Sequence, residues 1–152
     1  MRLGGIVWDS VNAYEGMAVE IYVSGCTHRC HGCHNPEMQS FKYGTLLDDK
    51  SFTSLCDSLR GMEGWFDIIS ILGGDLLCQP VEEAEKFISD LKKEFPTYQF
   101  ILFTGSEKDE IPDWCYRLFD SIKYGKFIEN LRCYGKPYGS SNQGILKKGI
   151  DY

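Results

Sequence analysis

The chain is predicted to be an α/β protein built on a mostly parallel sheet, and three observations carry that prediction. Short apolar runs alternate with stretches of helical periodicity along most of the 152 residues. Three of those runs end in small or turn-forming residues, Ser24-Gly25, Gly73-Gly74 and Thr104-Gly105. The composition, 43% hydrophobic and 25% charged, suits one domain over residues 1–152 with a sizeable core.

The elements follow in order. Val19-Glu20-Ile21-Tyr22-Val23 is β-branched and aromatic, so it reads as a strand that ends at Ser24-Gly25. Phe52, Leu55, Cys56 and Leu59 recur at helical spacing, and Gly61 closes that helix. Ile68 to Leu72 is a second strand, broken by Gly73-Gly74. After Pro80 a longer helix aligns Val81, Ala84, Phe87, Ile88, Leu91 and Phe95 on one stripe. Tyr98 to Phe103 is a third strand, and Ile111, Trp114, Cys115 and Leu118 form a third helical face. A strand around Asp120 to Ile122 and another near Ile145 complete the list, and the glycine-rich tail from Gly125 is expected to close over the site or a partner. In such a sheet, ligands gather at the carboxyl ends of the strands, where all three punctuating motifs fall.

Composition also excludes classes of function. A net charge of −6 argues against a protein whose main work is to hold nucleic acid. No apolar run approaches the length of a membrane span. The seven cysteines are an odd number, and Met1 to Ser10 has no basic stretch leading into a secretory hydrophobic run. Both facts point to a reduced, cytoplasmic chain.

The most specific signal is the CxxxCxxC loop after the first strand, with Cys26, Cys30 and Cys33 inside Ser24 to Pro36. Three thiolates so close together can hold three irons of a cubic iron–sulfur cluster and leave the fourth open to a substrate or cofactor. Zinc is the rival, with His28, His31 or His34 completing a Cys3His set. Spacing alone does not choose between them, but no second ligand doublet follows downstream, which weighs toward iron–sulfur. Gly73-Gly74 lets backbone approach a ligand without a Cβ, and Asp75 offers a carboxylate. A ligand that bridges an open iron and such an edge needs metal-binding and polar groups together, as in the amino acid end of S-adenosylmethionine.

On these residues the chain resembles the radical S-adenosylmethionine superfamily and, within it, the small activating proteins of anaerobic ribonucleoside-triphosphate reductase. The likeness runs through Val23-Ser24-Gly25, the cysteine loop with Gly32 and Asn35, Gly73-Gly74-Asp75 and Phe103-Thr104-Gly105. Its discriminating part is the tail, where Asp120, Gly125-Lys126-Phe127, Leu131 and Gly139-Ser140-Ser141-Asn142-Gln143 resemble the DxxxxGxF and GSxNQ pattern of those activases.

The resemblance implies a partial (βα) barrel of the radical S-adenosylmethionine type. It implies that Cys26, Cys30 and Cys33 hold a 4Fe-4S cluster, which cleaves S-adenosylmethionine reductively and so generates a glycyl radical on the large catalytic subunit of the reductase. An external donor such as flavodoxin would supply electrons, and no catalytic residue is expected beyond the cluster ligands. Gly73, Gly74 and Asp75 would meet the methionine amino group, Gly32 and His34 would lie against the cofactor, and Thr104 would add a contact. The chain departs from the usual pattern at Asp75 (commonly glutamate), Leu76 (commonly proline), His34 (commonly another aromatic) and Ala18, where an arginine is expected after a partial VNGxGxR run from Val11.

The alternatives are an activase of another glycyl radical enzyme and a non-catalytic zinc or iron–sulfur binding module. By default Cys56 and Cys115 are core residues, His28 and His31 are solvent-facing, and the Tyr134 to Tyr138 segment is an interaction loop or a connection.

Overall fold

The computed structural model describes residues 1–11, 16–134 and 139–152. Its strands and α-helices in chain order are β1 (Arg2–Ser10), β2 (Ala18–Ser24), β3 (Thr45–Leu46), α1 (Asp49–Gly61), β4 (Ile68–Gly73), α2 (Val81–Glu94), β5 (Gln99–Phe103), α3 (Asp113–Leu118), β6 (Ser121–Tyr124), β7 (Arg132–Cys133), β8 (Gly139–Ser140) and β9 (Gly144–Lys147). Seven strands form one sheet in the order β3-β1-β2-β4-β5-β6-β9, while β7 and β8 pair separately. The central β2, β4, β5 and β6 are parallel to one another, and β1, β3 and β9 add antiparallel margins. The architecture is therefore mixed α/β around a largely parallel central sheet, and the strand order is open rather than closed into a barrel.

Strand alternation divides the sheet into two chemically different faces. Val19, Ile21, Val23, Ile69, Ile71, Phe100, Leu102 and Ile122 point into the main core, where Leu55, Leu59, Ile88, Leu91 and Cys115 of the helices meet them. Each such side chain contributes roughly 1.5–3 kcal/mol when fully buried. The intervening positions supply Glu20, Tyr22, Leu72, Phe103 and Lys123, which line a cavity on the opposite face. Ala18, Ile68 and Ile101 pack together as a small cluster apart from the main core.

Local chemistry explains the helix ends. Asp48 accepts a hydrogen bond from the Ser51 amide, and Ser51 Oγ accepts one from the Asp48 amide, both at 2.8 Å, so a reciprocal cap starts α1. Pro80 precedes α2, and Glu82 and Glu83 sit in its positive first turn while Lys92 and Lys93 sit in its last.

The sequence-predicted strands and helices all form, with shifts of a residue or two. Val81 departs from its expected stripe because it is the first residue of α2 and is 58% exposed, while Phe95 reaches the core from just beyond the helix end. β1 lies before Val19, where no element is expected from the sequence. Gly4-Gly5 and two register shifts against β2 disrupt the alternation by which a strand is recognised.

Candidate cluster and cofactor site

The carboxyl ends of β2, β4, β5 and β6 surround a cavity of about 420 Å³. Cys26, Cys30 and Cys33 line it together with His34, Gly73, Gly74, Asp75 and Thr104. Gly32 is not among the lining residues; it lies exposed on the outer turn of the loop, where an added Cβ would fall 2.6 Å from the Glu129 carboxyl carbon.

Backbone hydrogen bonds fix the loop. The Gly25 amide donates to the Met38 carbonyl at 2.8 Å, Cys26 to Gln39 at 3.2 Å and Cys33 to Cys30 at 3.2 Å. Arg29 has φ 54° and Gly32 φ 73°, so two left-handed residues curl the chain between the cysteines. For Arg29 that conformation is strained, which is tolerated where surrounding contacts over-determine it. Burial is the main cause that raises the Cys30 thiol pKa.

Gly73 and Gly74 bring β4 directly against this loop. The Gly74 amide donates to the Val23 carbonyl at 2.7 Å and the Asp75 amide to the Gly25 carbonyl at 3.0 Å. A Cβ on Gly74 would lie 2.6 Å from the Gly25 oxygen and 2.7 Å from the Met38 oxygen, so only glycine fits. The buried Gln79 amide then donates to the carbonyls of Ser24 and Gly25 at 3.0 Å and of Asp75 at 3.1 Å.

Asp75 is 1% exposed and acts as a hub. It accepts from the Leu77 amide at 2.9 Å, the Gly105 amide at 2.8 Å and the Thr104 hydroxyl at 2.8 and 3.0 Å. His28 Nε2 lies 2.8 Å from its Oδ2. This contact corrects the solvent-facing assignment of His28: the ring is drawn inward by the carboxylate, which also raises its pKa against the opposing effect of burial. His31 remains at the surface, beside Glu129.

The tail explains its own motif. Gln143 donates to the Gly125 carbonyl at 2.6 Å and accepts from the Ser140 amide at 2.9 Å; Asn142 donates to the Lys126 carbonyl at 2.8 Å, and Ser140 Oγ accepts from the Ile128 amide at 3.1 Å. These contacts pin residues 125–128 over the cavity and set Phe127 against His34, with ring centroids 4.9 Å apart. The expectation that the tail closes over the site is met. His34 accepts from the Arg132 guanidinium, and burial, then the cations Arg132 and Lys123, lowers its pKa. Residues 12–15 of the partial VNGxGxR run, and 135–138 of the Tyr134 to Tyr138 segment, lie outside the described residues.

Lys123 and Gln79 escaped the reading of the sequence. Lys123 is 7% exposed in the cavity wall, donates to Gln143 at 3.1 Å and lies over the Phe103 ring. Burial lowers its pKa to about 8. Its signal was a lysine inside the apolar run that forms β6. Cys78 meets Cys26 and Thr27, and the hydrogen bond from Cys26, then those from Thr27, lowers its pKa to about 6 despite burial. Cys56 and Cys115 are buried in the core, as expected.

The family described as a 4Fe-4S single cluster domain matches residues 13–146. An anaerobic ribonucleoside-triphosphate reductase-activating protein of Haemophilus influenzae is 32% identical over 143 residues, covering 90% of this chain and 91% of its own length. Proteins of the same description from Enterobacteria phage T4 and Pasteurella multocida are 31% and 33% identical, covering 90% and 91% of this chain and 87% and 92% of their own lengths. Similarity of this extent, over a chain whose three loop cysteines line one cavity, places it in the family of anaerobic ribonucleoside-triphosphate reductase-activating proteins.

Proposed function

We propose that the chain, as a single domain, activates the large catalytic subunit of anaerobic ribonucleoside-triphosphate reductase by reductive cleavage of S-adenosylmethionine. The observation that carries the reading is that Cys26, Cys30 and Cys33 converge on one cavity beside a glycine edge. Among the described residues, Cys30 and Cys33 join no group of three donors close enough to share one ion, which speaks against a single zinc held by the three loop cysteines. The Gly73-Gly74 backbone lines the cavity beside the Asp75 side chain, which suits the methionine end of the cosubstrate. When bound, the cluster and cosubstrate supply a reducing electron and the adenosyl radical that takes a hydrogen atom from the target glycine.

The chain's own residues bind and orient. A carboxylate has about four acceptor sites. Four donors already meet Asp75, so an ammonium that reaches it displaces one, and His28 on the loop is the donor able to turn away. Lys123 offers a cation to the carboxylate of the same ligand, while His34 and Phe127 present rings to adenine. Gly32 acts through the loop turn rather than through contact. The polar face of the sheet is the interior of an incomplete (βα) barrel, and its open side admits a protein loop. None of the seven cysteines is in a disulfide, which suits work in a reducing cytoplasm beside a flavodoxin-like donor. No helix of the described residues is long and apolar enough to cross a membrane.

The test is anaerobic reconstitution with iron and sulfide, reduction, addition of S-adenosylmethionine and measurement of 5'-deoxyadenosine. Product that Cys30→Ala abolishes supports the reading. No product from protein carrying a full cluster refutes it.

A further inference from the structure

Cys78 lies outside the three-cysteine motif, yet its sulfur, the Cys26 sulfur and a ring nitrogen of His28 all lie within 4.8 Å of one another. We infer that Cys26, His28 and Cys78 form a mononuclear site for a borderline-soft divalent cation of the zinc class, and that this site and the cluster exclude each other because both need Cys26.

The surroundings of the donors are those of a built metal site. The Thr27 amide donates to the Cys78 sulfur at 3.4 Å, and the Thr27 hydroxyl lies 3.3 Å from it. Amide donors on thiolate sulfurs offset part of their charge while leaving lone pairs for a metal. Asp75 holds His28 Nε2 at 2.8 Å, which leaves Nδ1 as the ligating nitrogen and completes a carboxylate–histidine–metal relay. Two thiolates and an imidazole match the preference of zinc, with the fourth tetrahedral position left to water. On binding, the two thiols release their protons to solvent. Cys30 and Cys33 take no part.

Such a site goes beyond the proposed activity. It gives the cluster-free chain one defined metal-bound state, in which the cysteine loop is tied to the turn after β4, and which cluster assembly must displace.

The test uses the full chain, reduced and stripped of metal, titrated anaerobically with Co(II). The expected result is one bound ion with four-coordinate d–d absorption and sulfur-to-cobalt charge transfer. A Cys30→Ser and Cys33→Ser double variant, unable to build the cluster, retains that spectrum and affinity. Cys78→Ser weakens binding roughly 10- to 100-fold or more, and so does His28→Gln, which keeps the test decisive if Cys78→Ser does not fold. Loss of binding in the double variant, with unchanged affinity in Cys78→Ser and His28→Gln, overturns the inference. In a second measurement, Cys78→Ser takes up iron and sulfide like the unaltered chain; reduced uptake would mean that Cys78 serves the cluster instead and would also overturn it. These readouts need no S-adenosylmethionine, so failure here is distinct from failure of the proposed function.

Discussion

At Asp75, the hydroxyl of Thr104 and the amide of Gly105 arrive from the end of β5, the Leu77 amide from its own turn and the His28 ring from the cysteine loop. One buried carboxylate thus joins three parts of the cavity wall. Thr104→Val removes a donor without changing shape much, and its expected cost is about 1–3 kcal/mol in urea unfolding, with Thr104→Ser restoring most of it. Lys123 makes the opposite contribution. Its folded pKa of about 8 lies below the ordinary 10.5, so the unfolded chain binds more protons between those values and stability rises with pH across that window. Below about pH 8 the burial penalty is fully present, so Lys123→Met should gain up to roughly 3 kcal/mol at pH 7 and little near pH 11. Thermal melts at the two pH values check this; a gain independent of pH would mean that packing, not charge, is responsible. The cysteines were legible because thiols at short fixed spacing have few structural uses. The inward turn of His28 was not, because its partner stands 47 residues away.

At the scale of elements, the loop after β4 and the tail are held by complementary means. The first depends on close backbone approach, so Gly74→Ala must push the Gly25 or Met38 carbonyl away. The expected result is a loss of stability of roughly 1–3 kcal/mol and weaker cluster retention, read from unfolding curves and iron content. The second depends on side-chain amides. Gln143→Ala removes the bond to the Gly125 carbonyl and frees residues 125–128, so hydrogen exchange of the Phe127 and Ile128 amides should rise by about one to two orders of magnitude, while β2 and β4 stay protected. Equal exchange across the whole chain would show global rather than local loosening. Helical spacing revealed α1, α2 and α3 because one face of each packs on a core. It misplaced Val81 because periodicity cannot tell the first exposed turn from the buried ones. β1 stayed hidden because bulges break its alternation.

For the whole molecule, helices cover one face of the parallel strands and leave the other to polar side chains and the tail. Alternating apolar runs and helical stretches made the parallel centre predictable. The antiparallel margins were not, since short strands such as Thr45–Leu46 have too few residues to show a pattern. The family joins this architecture to activation of anaerobic ribonucleoside-triphosphate reductase, and the function proposed above gives the open side of the site to that partner. The measurement that tests this most directly is electron paramagnetic resonance on the large catalytic subunit of the reductase, incubated anaerobically with the reconstituted chain, a reductant and S-adenosylmethionine. The expected result is a glycyl radical signal that requires Cys26, Cys30 and Cys33. Ample 5'-deoxyadenosine with no radical on the reductase would contradict it.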